Sequence, residues 1–380
     1  MNIGLDVSSI AYQRGVSRYT SNLMLALLEQ PNVHLLLYGN SFRNYDQFLS
    51  TLIHQLGQVK LDRYQFFLGK TPPRVLAKLW QLGLQPIKKT MPQVEVFHSW
   101  DWLQPPDKDL PLVSTIHDLA MLKYPATAHP QVLAAHRRSW RILKERQAQI
   151  LTVSEATKKD IIHWLNIPPE RITVTYEALP RDVEQASDIL ASSDELRALL
   201  KQQLRLTRPY ILFVGNREPR KNLERLIQAW APLAKDVDLI VAGEKAWDRS
   251  ATFHQKHLRF LGHVGDLTLA VLYHYAELLA YPSLDEGFGL PILEAFYHGV
   301  PVLSSDLPVI KEVAGNAAHL VNPESVEDIR AGLEFLLNED QAASSIRLKK
   351  MIIRLHLFNW AKTARSTIKV YQTAIDQRRS

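Results

Sequence analysis

Two short segments carry residue types that can do chemistry. In GNREPRKNLERL, residues 215–226, Arg220 and Lys221 stand where an apolar run gives way to a helical pattern. Paired cations beside a helix N-terminus suit a phosphate, and Asn222 is placed to cap that helix at Leu223. In DEGFGLPILEAFYHG, residues 285–299, Glu286 and Glu294 enclose Gly287, Phe288, Gly289 and Leu290. The glycines let backbone N–H groups approach a ligand closely, and Pro291 fits a first helical turn. Carboxylates accept hydrogen bonds from vicinal hydroxyls but repel phosphate. A helix cap with an acid in its first turn accounts for Glu294, but not for Glu286 or the two glycines. The combination points to a ligand with a pyrophosphate between hydroxyl-rich rings, a sugar nucleotide.

Such residues need elements to hold them. Short Val/Ile/Leu runs alternate with amphipathic stretches along the 380 residues, the pattern of strand–helix units and parallel sheets. Strands are expected at 3–7, 33–38, 94–98, 113–116, 150–153 and 172–175, with a helix at about 74–89 between the second and third. The polar stretch 179–208 breaks the rhythm and reads as a linker with helix. Strands resume at 210–214, 239–242, 258–261, 278–281 and 300–304, and a helical tail follows. The length calls for two domains. The expected division is 1–178, linker 179–208, 209–356, and a C-terminal helix 357–380. In doubly wound sheets ligands bind beyond the C-terminal ends of strands; both chemical segments fall there.

Composition narrows the partners. The formal charge is +6, and there is no cysteine, which removes disulfides and thiolate chemistry and fits a reducing compartment. The chain starts as a strand without a basic, apolar leader, and no long apolar run occurs. The expectation is a cytoplasmic protein. Arg63, Lys70, Arg74, Lys78, Lys88 and Lys89 share residues 63–94 with Phe66, Phe67 and Trp80 and with no acid. That composition suits either a solvated helix and loop or a peripheral contact with anionic membrane. No nucleic-acid-binding module is recognisable.

The segment EGFGLPILEAFYHGVPVLSSDLPVIKEVAG, with Glu286 and Glu294 separated by seven residues, resembles the signature of family 4 glycosyltransferases. VGNREPRKNLERLIQAW, TIHDL (115–119) and LTVSEATKKDII (151–162) resemble further motifs of that family, so the likeness runs along nearly the whole chain. It implies an α/β protein of the GT-B type: two Rossmann-like, doubly wound parallel-sheet domains facing across a cleft, with the C-terminal helix crossing back. It also implies a retaining, metal-independent transfer of a hexose-type sugar from a nucleoside diphosphate to a glycan, lipid-linked or small-molecule acceptor, without cofactor.

By position, the resemblance gives the donor diphosphate to Arg220, Lys221, Gly15, Gly289 and Leu290. The transferred sugar falls to Glu286, Gly287, Phe288 and Gly289, the ribose to Glu294, and the nucleobase to Gly262, His263 and Val264. His117 and Glu286 are the residues nearest the chemistry. The first loop, QRGVSRY, departs from the family by carrying Ser17 where a second glycine is usual; Ser17 is suited to cap the helix. Asp236-Val237-Asp238 matches a metal-binding D-x-D pattern but precedes a strand, at the end away from the expected ligand, and reads as a solvated turn. Two alternatives share the ligand: another two-Rossmann sugar-nucleotide enzyme such as an epimerase or phosphorylase, and a non-catalytic sugar-nucleotide sensor.

Overall fold

The structure is a computed structural model describing residues 1–12, 15–57, 59–125, 129–244 and 255–379. It contains two compact units. The first comprises Met1–Glu177 together with Asn359–Ser380, and the second Ala178–Phe358.

The first unit has β1 (Asn2–Asp6), β2 (His34–Asn40), β3 (Tyr64–Gly69), β4 (Val96–Trp100), β5 (Leu112–Ile116), β6 (Gln149–Thr152) and β7 (Ile172–Val174). All pair in parallel, in the order β3-β2-β1-β4-β5-β6-β7. Its helices are α1 (Gly15–Leu28), α2 (Tyr45–Leu56), α3 (Pro73–Gln81), α4 (Ile87–Thr90), α5 (Ala120–Lys123), α6 (Pro130–Glu145) and α7 (Glu155–Asp160). The second unit begins with α8 (Arg181–Ala191) and α9 (Asp194–Gln203). It continues with β8 (Tyr210–Val214), α10 (Leu223–Trp230), β9 (Asp238–Ala242), β10 (Leu258–Gly262) and α11 (Asp266–His274). Then come β11 (Leu278–Tyr281), α12 (Leu290–Tyr297), β12 (Val302–Ser305), α13 (Pro308–Ala314), β13 (His319–Val321), α14 (Val326–Leu337) and α15 (Gln341–Leu357). Its sheet is parallel, in the order β10-β9-β8-β11-β12-β13. The chain then returns to the first unit as α16 (Trp360–Arg379).

Central strands β4, β5, β6, β9 and β11 are buried along their length, and apart from His98, Gln149 and Asp238 they consist of apolar or small residues. Amphipathic helices close the faces. In α10 the residues Leu223, Leu226, Ile227 and Trp230 enter a core with Phe213, Val241 and Leu333. Burial of each such side chain contributes about 1.5–3 kcal/mol. α16 packs on α1 and over β4, β5 and β6, burying Trp360 and Tyr371.

Several expectations are corrected. Residues 179–208, expected as a linker with helix, form α8 and α9, which belong to the second unit and pack on α11 with Val183, Ala186 and Leu190 buried. Edge strands β3 and β13 were not anticipated; edge strands are only half-buried, so their apolar signal is diluted. The single helix expected at 74–89 is two, α3 and α4, separated at Gly83, which takes the left-handed φ of +74°. Phe66 and Phe67 lie on β3 and Trp80 is buried among Leu36, Tyr38 and Leu76. The aromatics of the 63–94 stretch therefore serve the sheet and core, and its exposed apolar residues are Val75, Leu82 and Leu84. Asp238 is no solvated turn either. It opens β9, is buried, and pairs with Arg208 at 2.8 Å and His257 at 3.1 Å, while Asp236 stays exposed.

Candidate functional site

The strand order reverses direction in the second unit between β8 and β11, and both chemical segments leave the sheet there. In open α/β sheets this switch point is where ligands bind. Leaving β8, the chain needs room: a Cβ at Gly243, after β9, would lie 2.0 Å from the Gly215 carbonyl oxygen, and Gly243 has a φ of +152°. The chain then forms a 3-10 turn over Pro219–Lys221.

That turn is stitched to the loop after β11. Leu284 N–H donates to the Arg220 carbonyl at 2.8 Å, and Arg220 Nη1 donates to the Asp285 carbonyl at 2.8 Å and to Glu286 Oε2 at 3.1 Å. Lys221 Nζ donates to Glu286 Oε1 at 2.6 Å and to the Tyr281 hydroxyl at 2.8 Å. Asn222 does not cap α10. It adopts a left-handed conformation and its amide donates to the carbonyls of Pro282 (2.9 Å) and Pro323 (2.6 Å), tying three loops together.

Burial opposes ionisation of Glu286, but Lys221 and Arg220 outweigh it and hold the carboxyl at about 2. Arg220 also lies 3.5 Å from Glu218, so the two cations and the two carboxylates form one compact ionic cluster whose guanidinium and ammonium donors suit an anion. The loop ends at Gly289, whose φ of +105° starts α12 and aims its first N–H groups outward from the helix end. The Phe288 ring packs edge-on against Phe358 at 5.3 Å, so its backbone, not its ring, is the part suited to a ligand. Leu290 is the first residue of α12. Glu294 lies one turn further in than expected, buried, and accepts a hydrogen bond from Tyr273 at 2.9 Å.

Gly262 ends β10, and His263 and Val264 follow it, at the same end of this sheet. Gly262 has a φ of +71° and its carbonyl accepts from Gly243 N–H at 2.8 Å; His263 is exposed. Gly265 precedes α11.

His117 follows β5 in the first unit. Its Nδ1 lies 3.4 Å from Glu177 Oε1, its ring meets Tyr19 edge-on at 4.7 Å, and Trp100 stacks over it at 5.9 Å. Its Nε2 is buried with no hydrogen-bond partner among the described residues. Gly15 opens α1, is exposed, and has nothing within 4 Å of where a Cβ would stand. Ser17 does not cap α1; it lies inside the helix and donates to the Ser9 carbonyl at 2.5 Å.

The structure therefore brings Arg220, Lys221 and Glu286 into contact and sets Glu294 on the helix that follows. Tyr281, Tyr273 and Glu177 are partners that the sequence reading missed. Tyr281 closes β11, and a polar ring at a strand's C-terminal end was a usable signal; the other two are apparent only through contacts distant in sequence. Among the described residues no cluster of three His, Asp or Glu side chains is arranged to hold a metal, and no helix is long and apolar enough to cross a membrane.

Residues 13–182 match the family model described as Glycosyltransferase Family 4, and residues 197–351 match the one described as Glycosyl transferases group 1. The chain belongs to glycosyltransferase family 4. Over 234 residues it is 34% identical to O-antigen chain mannosyltransferase B of Escherichia coli, a match covering 59% of this chain and 60% of that protein. Over 178 residues it is 31% identical to the phosphatidyl-myo-inositol mannosyltransferase of Mycolicibacterium smegmatis, covering 43% and 45% respectively. The matches thus span 60% and 45% of the length of these two relatives. Among solved structures, sucrose-phosphate synthase from Thermosynechococcus elongatus superposes with a TM-score of 0.72 at 18% identity, covering 99% of this chain and 100% of that one. The Anabaena protein HepE in complex with UDP-glucose gives 0.71 at 18%, covering 98% and 100%. These likenesses give the fold, the GT-B architecture.

Proposed function

We propose that the chain is a retaining hexosyltransferase that moves a sugar from a nucleoside diphosphate to an acceptor hydroxyl. The observation that carries this reading is the convergence of Arg220, Lys221 and Glu286 at the switch point of the second sheet, beside the N-terminus of α12. In the proposed reaction the bond from the sugar C1 to the phosphate oxygen breaks and a bond from C1 to the acceptor oxygen forms on the same face. The acceptor proton passes to the departing diphosphate. Arg220, Lys221 and backbone N–H groups of residues 287–290 stabilise the charge on that leaving group, which makes a metal ion unnecessary. Glu286 binds sugar hydroxyls, Glu294 the ribose diol, and residues 262–264 the base. Gly15 and His117 serve the transfer from the first unit.

The curated relatives named above favour mannose as the sugar and a glycan or lipid-linked acceptor. Incubation with UDP-, GDP-, TDP- and ADP-sugars, with and without acceptor, tests the reading. Transfer with retained anomeric configuration supports it, whereas product formed without any acceptor indicates an epimerase. Nucleotide binding with no turnover on any acceptor indicates a sensor.

We further propose a cytoplasmic protein that touches anionic membrane through the first unit. The exposed Arg74, Lys78, Lys88 and Lys89 around Val75, Leu82 and Leu84 support that contact. Co-sedimentation with phosphatidylglycerol vesicles at low salt tests it. Binding that Lys78→Glu with Lys89→Glu abolishes supports the contact, and no binding removes it.

A further inference from the structure

Glu294 does not stand alone in α12. Tyr273, from the last turn of α11, is fully buried and places its hydroxyl 2.9 Å from Glu294 Oε2 and 3.4 Å from the Pro291 carbonyl. The carboxylate is the nearer acceptor, so the hydroxyl donates to it. The Tyr273 ring is itself fixed. It stacks on His298 with centroids 5.3 Å apart and planes 9° apart.

His298 is anchored in turn. Its Nε2 lies 3.2 Å from Ser187 Oγ on α8, and that hydroxyl donates its single proton to the Val183 carbonyl at 2.8 Å. Ser187 therefore accepts, and His298 carries its proton on Nε2. Burial, with His274 nearby, lowers the His298 pKa to about 4, so the stacked ring is neutral near pH 7. A chain of contacts thus runs from α8 through His298 to Tyr273 and ends on one oxygen of Glu294. A glutamate has three rotatable bonds, and a tyrosine has two, here locked by stacking. Holding one carboxylate oxygen restricts the orientation in which the group can meet ligand hydroxyls.

We propose that Tyr273 is a positioning residue that presets Glu294 for the two hydroxyls of the nucleotide ribose, acting through its 2.9 Å hydrogen bond to that carboxylate. The inference rests on the ribose role given to Glu294 above. It adds a residue that touches no ligand, placed on the helix that follows the candidate nucleobase loop.

The test compares GDP and UDP with their 2′,3′-dideoxy forms by titration calorimetry on the full chain. For whichever base binds, the parent protein is expected to prefer the natural ribose about tenfold or more, the scale of a hydrogen bond to a charged group. Tyr273→Phe keeps the stacked ring and is expected to cut that preference below about threefold, leaving the dideoxy affinity unchanged. Tyr273→Phe combined with Glu294→Gln should lose no more than Glu294→Gln alone, because the two act as one unit. A merely structural tyrosine would weaken both nucleotide forms alike or add to the Glu294→Gln effect, and either result overturns the proposal. If the parent itself shows no ribose preference, the role of Glu294 fails and the proposal with it. If Glu294→Gln abolishes the preference and Tyr273→Phe retains it, the proposal alone fails. Should Tyr273→Phe not fold, His298→Phe, which keeps a ring against Tyr273 but loses Ser187, is expected to halve the preference or more; an unchanged ratio there overturns it.

Discussion

The carboxylate of Glu286 lies 2.6 Å from the ammonium of Lys221, with the acid buried and the lysine partly so. Removing the acid leaves Lys221 without its carboxylate partner beside Arg220, which still pairs with Glu218 at 3.5 Å. Glu286→Ala is expected to destabilise the second unit by about 3–5 kcal/mol, the usual cost of orphaning one side of a buried pair. Glu286→Gln keeps an acceptor and should cost less. Thermal unfolding followed by calorimetry distinguishes the two, with the larger fall in Tm expected for alanine.

The same pair sets an acid dependence. Because the Glu286 carboxyl is held near 2 when folded and titrates at about 4.5 when unfolded, the unfolded chain takes up a proton first as pH falls. Its stabilisation is complete above about pH 4.5 and disappears between there and pH 2. Glu286→Gln should flatten the stability profile in that window alone. Identical profiles for parent and variant below pH 4.5 would contradict the assignment.

Arg220 and Lys221 are expected to matter for phosphate more than for the base. Single alanine substitutions should weaken UDP or GDP binding about ten- to a hundredfold and reduce its salt dependence, with little effect on the free nucleoside. EDTA is expected to leave turnover unchanged, since these groups and the start of α12 supply the positive charge. A requirement for a divalent ion would assign the diphosphate to a different partner.

His117→Ala should lower kcat by about two orders of magnitude while donor affinity stays within about threefold. Equal losses in kcat and donor binding would mean that the imidazole merely supports the packing of Tyr19 and Trp100.

In the first unit, His98 Nδ1 meets the Tyr371 hydroxyl at 2.7 Å and its Nε2 meets Thr115 Oγ1 at 2.8 Å, linking α16 to β4 and β5. Burial, with His117 adding, lowers the His98 pKa to about 3. The unfolded chain therefore binds a proton that the folded one refuses, and stability falls as pH drops from about 6.5 toward 3, by up to about 1.4 kcal/mol per pH unit. Tyr371→Phe leaves Nδ1 without its partner and should cost about 1–3 kcal/mol at pH 7. Deleting Asn359–Ser380 should unfold the first unit altogether; an unchanged Tm would show that α16 is dispensable.

What was legible in the sequence were features with local periodicity. The buried strands β8 and β11 announce themselves by unbroken apolar runs, and their bounds agree with expectation. The convergence of Arg220, Lys221 and Glu286 followed from where loops leave parallel strands. What was not legible depends on contacts far apart in the chain. Asn222 and Ser17 look like helix caps by type and place, yet their side chains are claimed by the Pro282, Pro323 and Ser9 carbonyls. Asp238 looks solvated until Arg208 and His257 are brought to it. Trp80 sits among lysines in the chain and among leucines in the fold.

That the first unit ends with α16 has a consequence for biosynthesis. Its sheet, with the surface where Tyr371 must dock on His98, emerges from the ribosome long before the helix that covers it. At about 5–20 residues per second, translating Ala178–Phe358 takes on the order of ten to forty seconds. Throughout that interval the face of the nascent first unit that α16 will cover, with His98 within it, waits without its helix.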